Sequence, residues 1–165
     1  MEITQVLRSA RRRDCFENPP TYRQAAFGDL PAIARIEHEV FDEPYRYLML
    51  RQLFDLHGSA WVVCELNGTI IGYALSLEKD RRALLFTFAM SPEFRHRGYA
   101  KALLEEALDR SRRLGAEVEY LTVRPDNETA VRLFEAAGFI RTKEDESYFG
   151  EGEPRYLYEL PLGRP

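Results

Sequence analysis

The stretch that decides the fold is residues 84–123, which read LLFTFAMSPEFRHRGYAKALLEEALDRSRRLGAEVEYLTV. The apolar run Leu84 to Met90 predicts a strand. Apolar residues then recur at helical spacing from Gly98 to Leu114, and Val118 to Val123 predicts a second strand. A crossover of this length is typical of a βαβ unit, so we expect the two strands to be parallel neighbours.

A β-hairpin is predicted upstream of this unit. Two apolar runs, Trp61 to Leu66 and Thr69 to Leu77, flank the dipeptide Asn67-Gly68. Asn-Gly favours the two-residue turns that join antiparallel strands. A short strand at Tyr22 to Ala25 is expected to start the regular structure.

Two helices are predicted before the hairpin. The first follows Gly28-Asp29, with Asp29 as its expected cap and Pro31 in its first turn. The second is expected from about Tyr45 to Leu56. Spacing assigns inward positions to Leu30, Ile33, Ile36 or Glu37, and Val40 in the first helix, and to Leu48, Met49, Leu53 and Phe54 in the second.

The last third of the chain predicts one more helix and two more strands. Asp126-Asn127-Glu128 opens the helix, and Gly138 closes it. The strands are expected at about Phe139 to Tyr148 and Arg155 to Leu160, joined by a glycine-containing loop.

Composition favours one soluble domain. The chain has 165 residues, a formal net charge of −4, 45% apolar residues and 30% charged residues. We place the domain at residues 22–165, after a basic arm at residues 1–21. The negative charge argues against nucleic acid as a partner, and neither a membrane span nor a signal segment is apparent, so we expect a cytoplasmic protein. The histidines and cysteines share no metal-binding spacing, so no metal is assigned.

The most informative chemical segment is Arg95-His96-Arg97-Gly98-Tyr99-Ala100, between the strand and the long helix. Free N–H groups and the helix dipole attract anions at a helix N-terminus, and Gly98 allows a bulky ligand to approach the backbone. Arg95 and Arg97 add positive charge suited to phosphate oxygens. A solvated surface loop explains the same residues equally well.

The segment resembles the Gln/Arg-x-x-Gly-x-Gly/Ala signature of the GNAT superfamily, the GCN5-related N-acetyltransferases. Residues 84–92 resemble the fourth strand of that family, and residues 127–139 resemble its closing Asn-x-x-Ala…Gly-Phe block. The resemblance covers about Tyr22 to Leu162. It implies an α/β (α+β) fold with a mixed, mostly antiparallel seven-stranded sheet, about four flanking helices, and parallel fourth and fifth strands that splay apart around the pantetheine arm of acetyl-CoA.

The resemblance also implies which residues bind acetyl-CoA. Backbone groups on the fourth strand would pair with pantetheine, the start of the following helix would hold the pyrophosphate, and Asn127 would approach the cofactor or simply cap its helix. The implied binding residues are Phe88, Ala89, Met90, Arg95, His96, Arg97, Gly98, Tyr99, Ala100, Lys101 and Asn127.

The chain departs from the family at the catalytic positions. Many members place a proton-donating tyrosine where this chain has Phe134, and the related ribosomal-protein N-terminal acetyltransferases often place a base where it has Thr122. We rank Tyr148, on the expected sixth strand, first as a replacement, with Tyr120 second. The acidic residues Glu37, Glu39 and Glu78 are further candidates.

The resemblance implies an acetyl-CoA-dependent transferase in which a neutral amine attacks the thioester directly. The segment Phe41 to Pro44 and the pair Tyr148-Phe149 favour a protein or peptide N-terminal amine as acceptor. A small-molecule amine, such as a polyamine, amino acid or antibiotic, is the alternative. A non-catalytic acyl-CoA-binding module is the alternative from another class, and a homodimer is left open.

Overall fold

The structure is a computed structural model that describes residues 18–163. Most of the predicted basic arm, residues 1–21, lies outside the described residues. The strands are β1 (Thr21–Gln24), β2 (Trp61–Leu66), β3 (Thr69–Lys79), β4 (Arg82–Met90), β5 (Val118–Val123), β6 (Ile140–Asp145) and β7 (Arg155–Pro161). The helices are α1 (Leu30–Val40), α2 (Tyr47–His57), α3 (Tyr99–Arg113) and α4 (Glu128–Ala136).

The seven strands form one sheet in the order β1-β2-β3-β4-β5-β7-β6. Every neighbouring pair is antiparallel except β4 and β5, which are parallel and joined through α3. The predicted mixed, mostly antiparallel sheet and its parallel fourth and fifth strands are therefore confirmed. No helix within residues 18–163 is long and apolar enough to cross a membrane.

The predicted hairpin is also confirmed. β2 pairs with β3 through the two-residue turn at Asn67 and Gly68, whose φ angles are 50° and 79°. Positive φ at both positions is what this turn requires, and Asn and Gly tolerate it.

The helices cover both faces of the sheet, and each face has its own core. One core lies under α1 and α2 and includes Trp61 and Tyr73, while the other lies under α3 and α4 and includes Leu103 and Phe134. Burial of these two apolar faces holds the layers together.

Two expectations about the helices were wrong. In α2, Leu50 is buried whereas Leu48 and Met49 are 68% and 40% exposed, because the helix begins at Tyr47 and turns another stripe inward. Asp29 makes no side-chain cap to α1, since its carboxylate accepts instead from Arg23 and from the Ala26 N–H.

The sixth strand is shorter than expected. β6 ends at Asp145, whose carboxylate accepts the Ser147 N–H at 3.2 Å, and the chain then turns. Tyr148 therefore lies in this turn, and its placement on the sixth strand was wrong.

Candidate active site

The parallel pair β4–β5 is joined only at one end. Its pairing covers Arg82 with Val118, Ala83 with Glu119, and Leu84 with Tyr120. β4 runs on to Met90 and β5 to Val123 with no further pairing between them in the described register. The predicted splaying of the two strands is thus present in the structure.

A β-bulge marks the point where the strands separate. On the other edge of β4, Ser76 pairs with Leu85 and Leu75 pairs with Thr87, so Phe86 is an extra residue. A bulge bends its strand and increases the local twist. The bulge residue Phe86 lies two positions beyond Leu84, the last β4 residue that pairs with β5.

The gap opens into a cavity of about 820 Å³. This volume is within the range of small-molecule and cofactor sites. The lining residues come from α1, the α1–α2 connection, β4, β5, the β5–α4 loop, α4, and the loop before β7 with its first residue: Glu37, Val40, Phe41, Asp42, Glu43, Tyr45, Leu85, Phe86, Thr87, Phe88, Leu121, Thr122, Val123, Arg124, Asn127, Ala130, Phe134, Phe149, Glu153 and Arg155.

The predicted cofactor residues on β4 and α4 lie at this gap. Phe88 and Asn127 line the cavity, and Ala89 and Met90 continue β4 beyond its last pair with β5. The Asn127 side chain also accepts the Ala130 N–H at 3.2 Å. Asn127 is therefore both a helix cap and part of the cavity wall.

The start of α3 lies at the same edge of the sheet, because it follows the carboxyl end of β4. Gly98 is its N-cap with a φ of 83°, a conformation that glycine adopts without strain. By helix geometry the N–H groups of Tyr99, Ala100 and Lys101 have no partner within α3. His96 and Gly98 are exposed, so these donors face an accessible surface.

The basic side chains around this start are already partly engaged. Arg95 Nε donates to the Met90 carbonyl at 3.2 Å, Arg97 lies 5.6 Å over the Phe94 ring, and Lys101 pairs loosely with Glu105 at 3.9 Å. Arg97 and Lys101 are exposed, and neither of them lines the cavity.

The two positions that the family usually gives to a catalytic acid and base are at the cavity wall. Phe134 is 6% exposed and packs edge-on against Phe88 and Phe139, and Thr122 lies on β5 facing the gap. Neither side chain is an acid or base that titrates near neutral pH. Phe134 and Thr122 therefore cannot supply the acid and the base that the family usually has at these two positions.

The structure does not bring the two predicted catalytic tyrosines to the cavity wall. Tyr148 is 41% exposed and packs on Phe149, which does line the cavity. Tyr120 pairs with Leu84 in the closed part of β4–β5, and Arg82 lies over its ring. Catalytic roles for Tyr148 and Tyr120 stay predictions.

Among the acidic candidates, only Glu37 both lines the cavity and is buried, at 1% exposure. Its carboxylate accepts the Tyr45 N–H at 3.1 Å and the Tyr73 hydroxyl. Burial raises the pKa of Glu37, and the Tyr45 N–H opposes part of that rise. Glu39 and Glu78 bond elsewhere, to Ser91 and to the Arg81 N–H.

Sequence reasoning missed the partner residue Tyr73. Tyr73 lies within the apolar run of β3, and the apolar pattern of that run predicts only that its side chain is part of the hydrophobic core. The available signal was chemical, because a buried phenolic hydroxyl requires a hydrogen-bond partner.

A mixed sheet opened between two parallel strands, with a helix that begins at the same sheet edge, is the architecture that the resemblance to the GNAT superfamily implies. Residues 29–139 match the acetyltransferase (GNAT) family model. The chain belongs to this family, and it is an N-acetyltransferase by that membership.

Individual relatives are similar in sequence to this chain over more than four fifths of its length. It is 28% identical over 155 residues to an N-alpha-acetyltransferase of Saccharolobus solfataricus, covering 86% of this chain and 93% of that protein. It is 28% identical over 139 residues to the [Ribosomal protein bS18]-alanine N-acetyltransferase of Escherichia coli K12, and the match covers 81% of this chain and 92% of that protein.

Solved structures share the fold. The ribosomal-protein-S18-alanine N-acetyltransferase of Escherichia coli has a TM-score of 0.75 and 24% identity, covering 88% of this chain and 96% of that one. Ard1 from Thermoplasma volcanium has a TM-score of 0.79 and 24% identity, and the match covers 86% of this chain and 97% of that one. The topology is therefore that of known acetyltransferases.

Proposed function

We propose that this chain transfers the acetyl group of acetyl-CoA to the N-terminal amine of a protein or peptide. The observation that carries the proposal is the gap between β4 and β5, which opens into the cavity, with the start of α3 at the same edge of the sheet. The relatives named for N-alpha-acetylation and for alanine N-acetylation support the choice of acceptor.

The gap suits a long, thin thioester carrier. Beyond Leu84, the edge of β4 that faces β5 offers backbone N–H and C=O groups that do not pair across the sheet. Such groups need partners when a ligand excludes water. The two amides of pantetheine supply donors and acceptors of the right kind, and apolar Leu85, Phe88 and Leu121 flank them.

The diphosphate would lie against the start of α3. Free N–H groups and the positive end of the helix dipole stabilise anions there. Gly98 leaves the backbone accessible, since no heavy atom lies within 4 Å of the position that a Cβ would take. Arg97 and Lys101 add positive charge at the same place.

The opposite part of the cavity would take the acceptor. The α1–α2 connection contributes Phe41, Asp42, Glu43 and Tyr45, and the loop before β7 contributes Phe149 and Glu153. Acidic side chains attract a protonated amine, and aromatic rings pack against the first side chain of a peptide. In the ternary complex the amine attacks the thioester carbonyl and the thiolate leaves.

The test combines a binding measurement with an acceptor panel. Wild-type protein is expected to bind CoA in calorimetry and to release thiol from acetyl-CoA with a peptide, whose N-terminus mass spectrometry then shows to be acetylated. Binding without release for any peptide or small amine would favour a non-catalytic module. Release with small amines alone would favour the small-molecule alternative.

A variant pair connects the activity to the gap. Thr122→Trp puts an indole into the cavity and is expected to abolish CoA binding, since Thr122 faces the space that pantetheine needs. Thr69→Trp makes the same change at an exposed strand start beside the hairpin turn and is expected to bind normally. Equal CoA binding by the two variants would contradict the proposed site.

A further inference from the structure

Resting on the proposed function, we infer that Glu37 is the base that deprotonates the acceptor amine, with Tyr73 and Thr87 as the residues that position its carboxylate. The family's usual base position holds Thr122, so the base must come from another element.

The position of Glu37 supports the assignment. It lies on α1, the helix packed against β3 and β4, and it belongs to the cavity wall beside Tyr45 and Thr87. Among the described residues, Glu37 is the acidic residue of α1 that lines the cavity, whereas Asp42 and Glu43 lie on the α1–α2 connection and are exposed. The carboxylate is therefore placed on the acceptor side, behind the bulged segment of β4.

Two hydrogen bonds hold the carboxylate in one orientation, and a third holds the Tyr73 hydroxyl. Oε1 accepts the Tyr45 N–H at 3.1 Å, and Oε2 accepts the Tyr73 hydroxyl. Tyr73 OH lies 3.1 Å from Thr87 Oγ1, which must donate because the Tyr73 proton is already given to Glu37. Each carboxylate oxygen has two lone pairs, so both oxygens retain a free acceptor site for an incoming ammonium.

The chemistry of this environment suits a base. An ordinary carboxylate is a weak base for an α-ammonium group, whose pKa is about 7.7–8.0. Burial raises the pKa of Glu37 and so brings it closer to that of the amine. An uncharged hydroxyl network around the carboxylate avoids a fixed cation that would lower its basicity.

The proton balance is complete with acetyl-CoA as the second substrate. The acceptor enters as R–NH₃⁺ and gives one proton to the Glu37 carboxylate, which later releases it to water. The nitrogen lone pair then forms the C–N bond, the C–S bond breaks, and the second proton from nitrogen ends on the CoA sulfur. The products are the acetylated amine and CoA thiol.

The other charged or titratable groups around Glu37 come from several elements. They are Tyr73 on β3, Tyr45, Asp42 and Glu43 on the α1–α2 connection, and Arg124, Glu153 and Arg155 across the cavity. Arg124 and Arg155 both pair with Glu153, at 3.3 and 3.2 Å, so the far wall carries one net positive charge, while Asp42 and Glu43 on the α1–α2 connection are negative.

The test is Glu37→Gln, which keeps shape and removes the base. With an N-terminal peptide, kcat/KM at pH 7 is expected to fall by about 10²-fold, the usual range for a general base, with the Kd for CoA within twofold of wild type. The loss should shrink above about pH 8, where the amine is already neutral. Unchanged kcat/KM, or a loss that is equal at every pH, would overturn the assignment.

Glu119→Gln is the matched control, because Glu119 is the other fully buried glutamate and lies outside the cavity wall. It is expected to leave kcat/KM and its pH profile unchanged. If wild type acetylates no N-terminal peptide, the proposed function fails instead. If wild type is active and Glu37→Gln equals it, only the present inference fails.

A second variant covers the case in which Glu37→Gln does not fold. Tyr73→Phe removes one hydrogen bond from the carboxylate but keeps the ring in the core. Loss of a donor destabilises the charged form, so the acid limb of kcat/KM should move to higher pH. An acid limb that does not move would overturn the inference.

Discussion

The buried carboxyl of Glu119 should make the stability of this protein fall as pH rises. Glu119 is 0% exposed on β5, and Ser76 Oγ donates to its Oε1 at 2.5 Å. Burial raises its pKa from 4.5 to about 7, against the opposing effects of Ser76, Ser111 and Arg112. At about 1.4 kcal/mol per pKa unit, this difference is worth about 3 kcal/mol.

Proton linkage sets the direction in which the free energy of unfolding changes with pH. The folded state holds the Glu119 proton between pH 4.5 and about 7 whereas the unfolded chain does not, so stability is full below that window and is lost across it. Urea unfolding of wild type and Glu119→Gln from pH 4.5 to 8.5 measures the effect. The stability of wild type relative to the variant should fall by about 3 kcal/mol. A difference that stays constant within about 1 kcal/mol would refute this reasoning.

Two other substitutions test the neighbourhood of the gap. Gly72→Ala would place a Cβ 2.6 Å from Met90 Cε and 3.0 Å from the Ala89 carbonyl, so it should cost about 1–3 kcal/mol and lower Tm by about 2–4 °C per kcal/mol. An unchanged Tm in a thermal melt would show that β4 shifts at Ala89 and Met90 to accommodate the added methyl group without loss of stability. Phe134→Tyr restores a proton donor at the cavity wall and should raise steady-state kcat by up to about 10²-fold. An unchanged kcat would mean that protonation of the thiolate is not limiting.

The strand–helix–strand order could be predicted from sequence because its signals are local. Asn67-Gly68 encodes its own turn, and the apolar runs on either side of α3 encode the parallel pair. The family motifs then predicted the splayed strands, and of the predicted cofactor residues Phe88 and Asn127 line the cavity.

The remaining features depend on contacts that are distant in sequence. The bulge at Phe86 is a property of the register between β3 and β4, and no residue type in that apolar run marks it. The face that α2 buries depends on where the helix begins, which sequence patterns locate poorly. The network of Glu37 and Tyr73 joins residues 36 positions apart, so spacing could not reveal it.

Hydrogen exchange with and without CoA tests whether the ligand lies between β4 and β5. CoA is expected to slow exchange of the backbone amides at residues 85–90 and at the start of α3, residues 98–101, and to leave the hairpin turn at residues 67–68 unaffected. Slowed exchange elsewhere, with both of those segments unchanged, would contradict a ligand seated between β4 and β5.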